Sequence, residues 1–163
     1  MIEGEAQFCI RCGSPLDKKN VFGRLRPVCS QCGWVLFPDP KVAVAAIAEL
    51  DHKILLVRRT NEPSKGKWSL PAGFMDAGET PDSAIVRECF EETGLHVHVK
   101  KFHKLISGKT HPNGSDLLLI YLVEVVSGKL EAGDDADEAK FFALHQLPPL
   151  AFENMNDLID ELS

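Results

Sequence analysis

No stretch of the chain is apolar enough to cross a bilayer as a helix: the longest apolar run, 42–48, has seven residues, where a span needs about 20. The first residues, Met1-Ile-Glu-Gly-Glu-Ala, are acidic and lack a basic region followed by an apolar stretch, so no secretory signal is read there and a cytoplasmic location is expected. No tract is built from a few residue types, which excludes collagen-like repeats and a disordered polar chain. Positive charge is in deficit, 18 Lys and Arg against 24 Asp and Glu for a net charge of −6. That balance argues against non-specific attraction to nucleic acid or acidic lipid, and any anionic ligand needs a local cationic device. What remains is a chain of 163 residues, 44% hydrophobic. It is long enough for one core and a small appended module, and modules under about 40 residues generally need a metal or disulfides to fold.

The cysteines point to that module. Cys9-Ile-Arg-Cys12-Gly13 recurs as Cys29-Ser-Gln-Cys32-Gly33 with sixteen residues between Cys12 and Cys29, inside the spacing of a four-cysteine zinc site. Two intervening residues let both sulfurs of a pair reach one ion. Four thiolates leave no open coordination position, so the expected Zn²⁺ is structural. Residues 1–38 are therefore read as a zinc ribbon, with the boundary at Phe37-Pro-Asp-Pro40, where two prolines stiffen the backbone. The ribbon's basic residues could contact nucleic acid. Residues 1–40 hold five Lys or Arg and four Asp or Glu, however, and this near-balance favours an ordinary solvated surface.

In the remainder, 41–163, the runs 42–50 and 53–59 flank Asp51-His52 and predict a hairpin whose first strand is buried on both faces. Residues 60–79 have no helical period and predict a long loop. Thr80-Pro81-Asp82 offers an N-cap hydroxyl, a first-turn proline and an acid, and Gly94 a stop, predicting a helix over 81–93. Ala84, Ile85 and Cys89 are expected to face the core, with Glu88, Glu91 and Glu92 converging on the other side. Strands are expected near 96–99, 102–106, 117–126 and 141–144, with turns at 111–114 and 127–128, implying a mixed sheet. Met155, Leu158, Ile159 and Leu162 have the spacing of an amphipathic helix over 153–162.

An isolated E-x-x-E-E is more often a solvated acidic face than a site. Three like charges within one helical turn nevertheless repel by a few tenths of a kcal/mol per pair, and a hard cation such as Mg²⁺ or Mn²⁺ relieves that repulsion. The wider context favours the cation. Residues 73–95 run from Gly73 through Glu79 and Arg87-Glu88-Cys89-Phe-Glu91-Glu92-Thr-Gly94-Leu95. They closely resemble the Nudix box: a glycine, five residues, a glutamate, seven residues, then R-E-U-x-E-E-x-G-U with U apolar. Every fixed position is filled, with Cys89 as a small apolar choice at U.

The resemblance implies an α/β fold, an α/β/α sandwich with a mixed sheet over 41–163. It also implies a hydrolase that attacks the pyrophosphate of a nucleoside diphosphate linked to another moiety. Glu88, Glu91 and Glu92, with the Gly73 carbonyl, would hold Mg²⁺ or Mn²⁺, while Arg87 and Glu79 support them. Glu138 resembles the acid that many relatives carry ahead of a W-F-x-L strand, here with Phe141 for the tryptophan, and is the distal candidate for the base. Arg58, Arg59, Lys65 and Lys67 are candidate phosphate contacts, and Trp68 is either a stacking surface for a base or part of the core. A homodimer is expected because many relatives pair and 41–50 is apolar enough to serve as an edge.

A ribbon joined to such a domain resembles two groups, the NADH pyrophosphatase and decapping proteins and a shorter set linked with FAD or ADP-ribose. The NADH group's S-Q-P-W-P-F-P is absent after the box. Pro63-Ser-Lys-Gly-Lys-Trp68-Ser-Leu-Pro-Ala-Gly73 matches the shorter set. The expected partner is a nucleotide-derived small molecule such as ADP-ribose or FAD, with no membrane or nucleic acid. The alternatives are NADH pyrophosphatase or decapping activity, or a catalytically silent module that senses a nucleotide or docks on nucleic acid. Three intact acids argue against silence.

Overall fold

The computed structural model describes residues 6–107, 114–152 and 154–161. The chain separates into two compact units, Met1–Asp39 and Pro40–Ser163. In the first, β1 (Leu16–Val21) and β2 (Arg24–Cys29) form an antiparallel hairpin in which Leu16 faces Cys29 and Val21 faces Arg24.

The second unit is built on β3 (Val42–Leu50), which carries small and β-branched residues and is almost wholly buried. Strand β3 pairs with β4 (Lys53–Arg59), with β6 (Ala72–Phe74) and, in parallel, with β8 (Leu117–Gly128). Strand β7 (Leu95–Ser107) extends the sheet beyond β8, and β5 (Trp68–Ser69) and β9 (Ala136–Ala143) both pair with β4. The β3–β4 turn uses Asp51 and His52 at φ 50° and 58°, the handedness that matches strand twist in a two-residue hairpin.

Strict alternation along β3 divides the core. Val44, Ala46 and Ala48 face Ala84, Ile85 and Cys89 of α1 (Pro81–Thr93). Ala45 and Ile47 face Met155, Leu158 and Ile159 of α2 (Asn154–Asp160). The expected α/β/α sandwich with a mixed sheet is the observed architecture. Each large aliphatic side chain fully buried in it stabilises the fold by about 1.5–3 kcal/mol. No helix among the described residues is long and apolar enough to cross a membrane.

Several expectations need correction. Residues 60–79 are not a continuous loop, since β5 and β6 lie within them, too short to show a strand period. The segments 96–99 and 102–106 belong to one strand, β7, whose three register shifts against β8 disguise its alternation. Strand β8 runs through the expected turn at Ser127 and Gly128. The final strand starts at Ala136, five residues earlier than the Phe141 signal. The apolar segment 41–50 provides no edge, because β3 has neighbours on both sides. Of the turn at 111–114 only Gly114, and of the C-terminal period neither Glu153 nor Leu162, lies within the described residues.

Candidate active site

Helix α1 is delimited as its ends demand. Thr80 Oγ1 accepts from Ser83 N at 3.2 Å, Ser83 Oγ answers the Thr80 amide at 3.0 Å, and Pro81 occupies the first turn. Gly94 ends the helix in the left-handed conformation, donating to the Phe90 carbonyl. The acids are not arranged as their spacing implied. Glu88 and Glu92, at i and i+4, are buried on the same side as Ala84, Ile85 and Cys89, whereas Glu91 is exposed. The helix is covered along that side by β6 and β9 as well as by β3 and β7, so its buried face is wider than an amphipathic pattern suggests.

Arg87 organises the outer half of the cluster. Its Nε and Nη2 donate to the two Glu79 oxygens at 2.8 and 2.9 Å, Nη1 donates to Glu88 at 2.7 Å and Glu91 at 2.9 Å, and Nη2 also reaches the Phe74 carbonyl at 3.0 Å. All five guanidinium donors are thereby engaged. The same bonds hold Glu79 well below the usual carboxylate range, at about 2, helped by the Asp76 amide. Glu79 is therefore the fixed anchor that keeps Arg87 over the loop, as well as a favourable charge near the helix start.

The inner half is different. Burial pushes the Glu88 carboxyl up against the pull of Arg87. Glu92 accepts from the Ala72 amide at 2.8 Å, yet burial, followed by the neighbouring Asp135, raises its carboxyl to about 9. Asp135 lies in the loop before β9. Its carbonyl accepts from Thr60 N and Thr60 Oγ1, and its carboxylate accepts from Asn61 Nδ2 at 3.2 Å. A buried carboxylate with like-charged neighbours, as Glu92 has in Asp135 and Glu88, is an arrangement that a hard divalent ion stabilises.

Gly73 lies against the same acids: a Cβ placed there would sit 2.1 Å from the Glu88 carboxyl carbon. The obstructed atoms end a flexible side chain, so Gly73→Ala should leave the melting temperature nearly unchanged while forcing Glu88 aside. Catalysis should fall about 10-fold or more, and a variant as active as the parent would show that the Glu88 position is unimportant.

Gly73 and Asp135 also belong to the wall of a cavity of about 350 Å³, within the range of small-ligand sites. Its floor is apolar, with Ile106, Leu118, Phe152 and Met155. Among the described residues, Arg59 is the one cation lining it. The guanidinium lies 5.4 Å from the Phe152 ring centroid, and its Nε donates to the Pro63 carbonyl.

Other expected contacts lie elsewhere. Arg58 is paired with Asp137 at 2.7 Å and Glu138 at 3.1 Å. Neighbouring residues on a strand face opposite ways, so when Arg59 lines the cavity Arg58 does not. Glu138 stands opposite Arg58 in the β4–β9 register and does not line the cavity, whereas Asp135, three residues earlier in the same acidic run, does. Trp68 is buried, edge-on to Phe142 at 4.7 Å, and belongs to the core. Lys65 and Lys67 do not line the cavity.

In the first unit the four cysteine sulfurs lie within 4.8 Å of one another. The pairs Cys9–Cys32 and Cys12–Cys29 are 3.6 and 3.5 Å apart, close to the edge of about 3.8 Å in a tetrahedron of Zn–S bonds. Amides of Arg11 and Cys32 point at Cys9 and Cys29 sulfurs. Gly13 and Gly33, at φ 72° and 74°, turn the backbone back onto the Cys9 and Cys29 carbonyls, which a side chain would strain. The cluster fits a zinc ion.

The NUDIX domain family matches residues 39–162. The chain is 47% identical over 120 residues to an ADP-ribose pyrophosphatase of Methanocaldococcus jannaschii, covering 73% of this chain and 71% of that protein. It is 30% identical to the NAD-capped RNA hydrolase NudC of Pseudomonas aeruginosa, a match covering 88% of this chain but only half of that protein. A crystal structure of a NUDIX hydrolase from Nitrosomonas europaea superposes with a TM-score of 0.86 at 27% identity, over 96% of this chain and 92% of that one. A box filled at every fixed position, a family match over most of the chain and a relative of nearly half-identical sequence agree: the chain belongs to the Nudix family of pyrophosphohydrolases.

Proposed function

We propose that the chain hydrolyses the pyrophosphate bond of ADP-ribose or a related nucleoside diphosphate derivative, with Mg²⁺ or Mn²⁺ held by Glu88, Glu91, Glu92 and the Gly73 carbonyl. One observation carries this reading: the buried acids Glu88 and Glu92 adjoin Gly73 and Asp135, which also form the wall of the cavity. Such an ion, when bound, neutralises bridging-phosphate charge and lowers the pKa of water. The chain's own groups do the rest. The apolar floor and Arg59 seat the nucleoside end, leaving the pyrophosphate toward the acids. Arg87, itself locked by Glu79, fixes where Glu88 and Glu91 point. Asp135, oriented by Asn61, stands where an acid can take a proton from attacking water. The four cysteines hold a structural Zn²⁺.

Zinc-loaded chain assayed against ADP-ribose, FAD, NADH and dinucleoside polyphosphates should cleave ADP-ribose fastest, to AMP and ribose 5-phosphate, and only with Mg²⁺ or Mn²⁺ present. The 47% identity to an ADP-ribose pyrophosphatase supports that order. No cleavage of any substrate with either cation would overturn the catalytic reading in favour of a sensing module, and faster cleavage of NADH would move the substrate to the dinucleotides.

A further inference from the structure

The first unit has a second feature, at the end of its hairpin remote from the cysteines. Phe22 occupies the β1–β2 turn at φ 51° with 82% of its surface exposed. A bulky residue is uncommon in that conformation, and burial does not account for it. Its ring stacks on Phe37, centroids 6.3 Å apart at 28°, and Phe37 is itself half exposed. Arg26 backs the pair, 5.0 Å from the Phe37 centroid, and donates Nη1 to the Val21 carbonyl.

The register sorts the charges. Lys19 is opposite Arg26 and Val21 is opposite Arg24, and residues two apart share a face, so Lys19, Arg24 and Arg26 stand on one side of the hairpin. Asp17, opposite Val28 at the base, is the acid on that side. Counting charges along 1–40 gives near-neutrality and hides this segregation. The cysteine cluster starts at the Leu16–Cys29 pair, five register steps or about 17 Å from the tip, beyond the screening length of about 8 Å at physiological salt.

Exposed stacked rings beside a row of cations are the elements that bind unpaired nucleotides, the rings taking a base face and the cations the phosphates. We propose that this tip, formed by Phe22, Phe37, Lys19, Arg24 and Arg26, binds single-stranded nucleic acid. An apolar protein surface would meet at its rim three cations that have no ion-pair partner among the described residues. The rest of the chain, residues 41–163, has 13 Lys and Arg against 20 Asp and Glu, so this face is where a polyanion is least repelled.

Fluorescence anisotropy tests it with zinc-loaded full chain in Mg²⁺-free buffer and short labelled oligouridine or oligothymidine bearing no pyrophosphate, so hydrolysis contributes nothing to the result. Both strands should bind, more weakly as salt rises, with tighter oligouridine binding identifying RNA as the preferred source. Phe22→Ala should weaken binding about 5-fold or more with zinc content unchanged. Lys19→Ala should shallow the salt slope by about 0.7. If Phe22→Ala loses zinc, Arg24→Glu, at an exposed strand position, should weaken binding by a similar factor. No binding by the parent, or binding that Phe22→Ala with its zinc retained leaves unchanged, overturns the proposal. So does sedimentation showing that Phe22→Ala dissolves a dimer, which would assign the rings to a second copy of the chain.

Discussion

Glu92→Gln should slow pyrophosphate hydrolysis by about 10²-fold or more, a barrier increase of about 2.7 kcal/mol or more, while making the cation-free chain more stable at neutral and alkaline pH. The two effects come from one fact. Glu92 is buried beside Glu88 and Asp135, and its carboxyl is raised to about 9. A group raised in the folded state contributes stability that is fully present below its ordinary value of 4.5 and is lost as pH rises through 9. Between those limits the loss is about 1.4 kcal/mol per pH unit at most. Gln keeps the length, still accepts from the Ala72 amide and offers Asp135 a donor, yet never ionises. Cation-free parent should therefore melt at progressively lower temperature between pH 5 and 9, and Glu92→Gln should flatten that decline. With Mg²⁺ bound the order reverses, because the ion stabilises the carboxylate and has less to hold in the amide. Thermal melts across pH, with and without Mg²⁺, check both signs. A variant that is slow and also less stable without the cation would make Glu92 a packing residue.

Cys29→Ser should abolish the ordered first unit. Its hairpin buries only Val28 and Cys29, so burial contributes little and a bound ion would supply the folding free energy, about 10–16 kcal/mol in small zinc modules. Cys29, like Cys9, is nearly inaccessible, and a serine hydroxyl there is a poor zinc donor. Zinc content should drop from one per chain to near zero, and limited proteolysis should newly cut within 16–29. Residues 40–163, with their own two-sided core, should retain a cooperative melt. Stoichiometric zinc in Cys29→Ser would show that the four sulfurs do not share an ion.

Local chemistry made α1 legible in the sequence: the Thr80 cap, Pro81 and Gly94 bound it, and a seven-residue apolar run that alternates between two helices marked β3 as doubly buried. The box glutamates were found by spacing, but their division was not. Whether Glu88 or Glu91 is the buried one depends on where β6 crosses the helix, and a strand of three residues leaves no periodic trace. In the acidic run 134–138, Asp135 lines the cavity while Glu138 faces Arg58. Tertiary pairing alone decides that Glu138 meets Arg58 and Asp135 meets Asn61, and local sequence does not encode a contact between residues 74 apart, as Asn61 and Asp135 are. Arg58 and Arg59, adjacent and chemically alike, were indistinguishable until strand alternation sent one to the cavity and the other to an ion pair.

Mn²⁺ titration of the zinc-loaded chain, following the free-ion signal by electron paramagnetic resonance, decides whether the buried acids of α1 are a divalent-cation site. The parent should remove Mn²⁺ from solution in a saturable way, Glu92→Gln should bind it about 10-fold or more weakly, and Glu138→Gln should match the parent. Equal Mn²⁺ binding by the parent and Glu92→Gln would place the ion away from these acids.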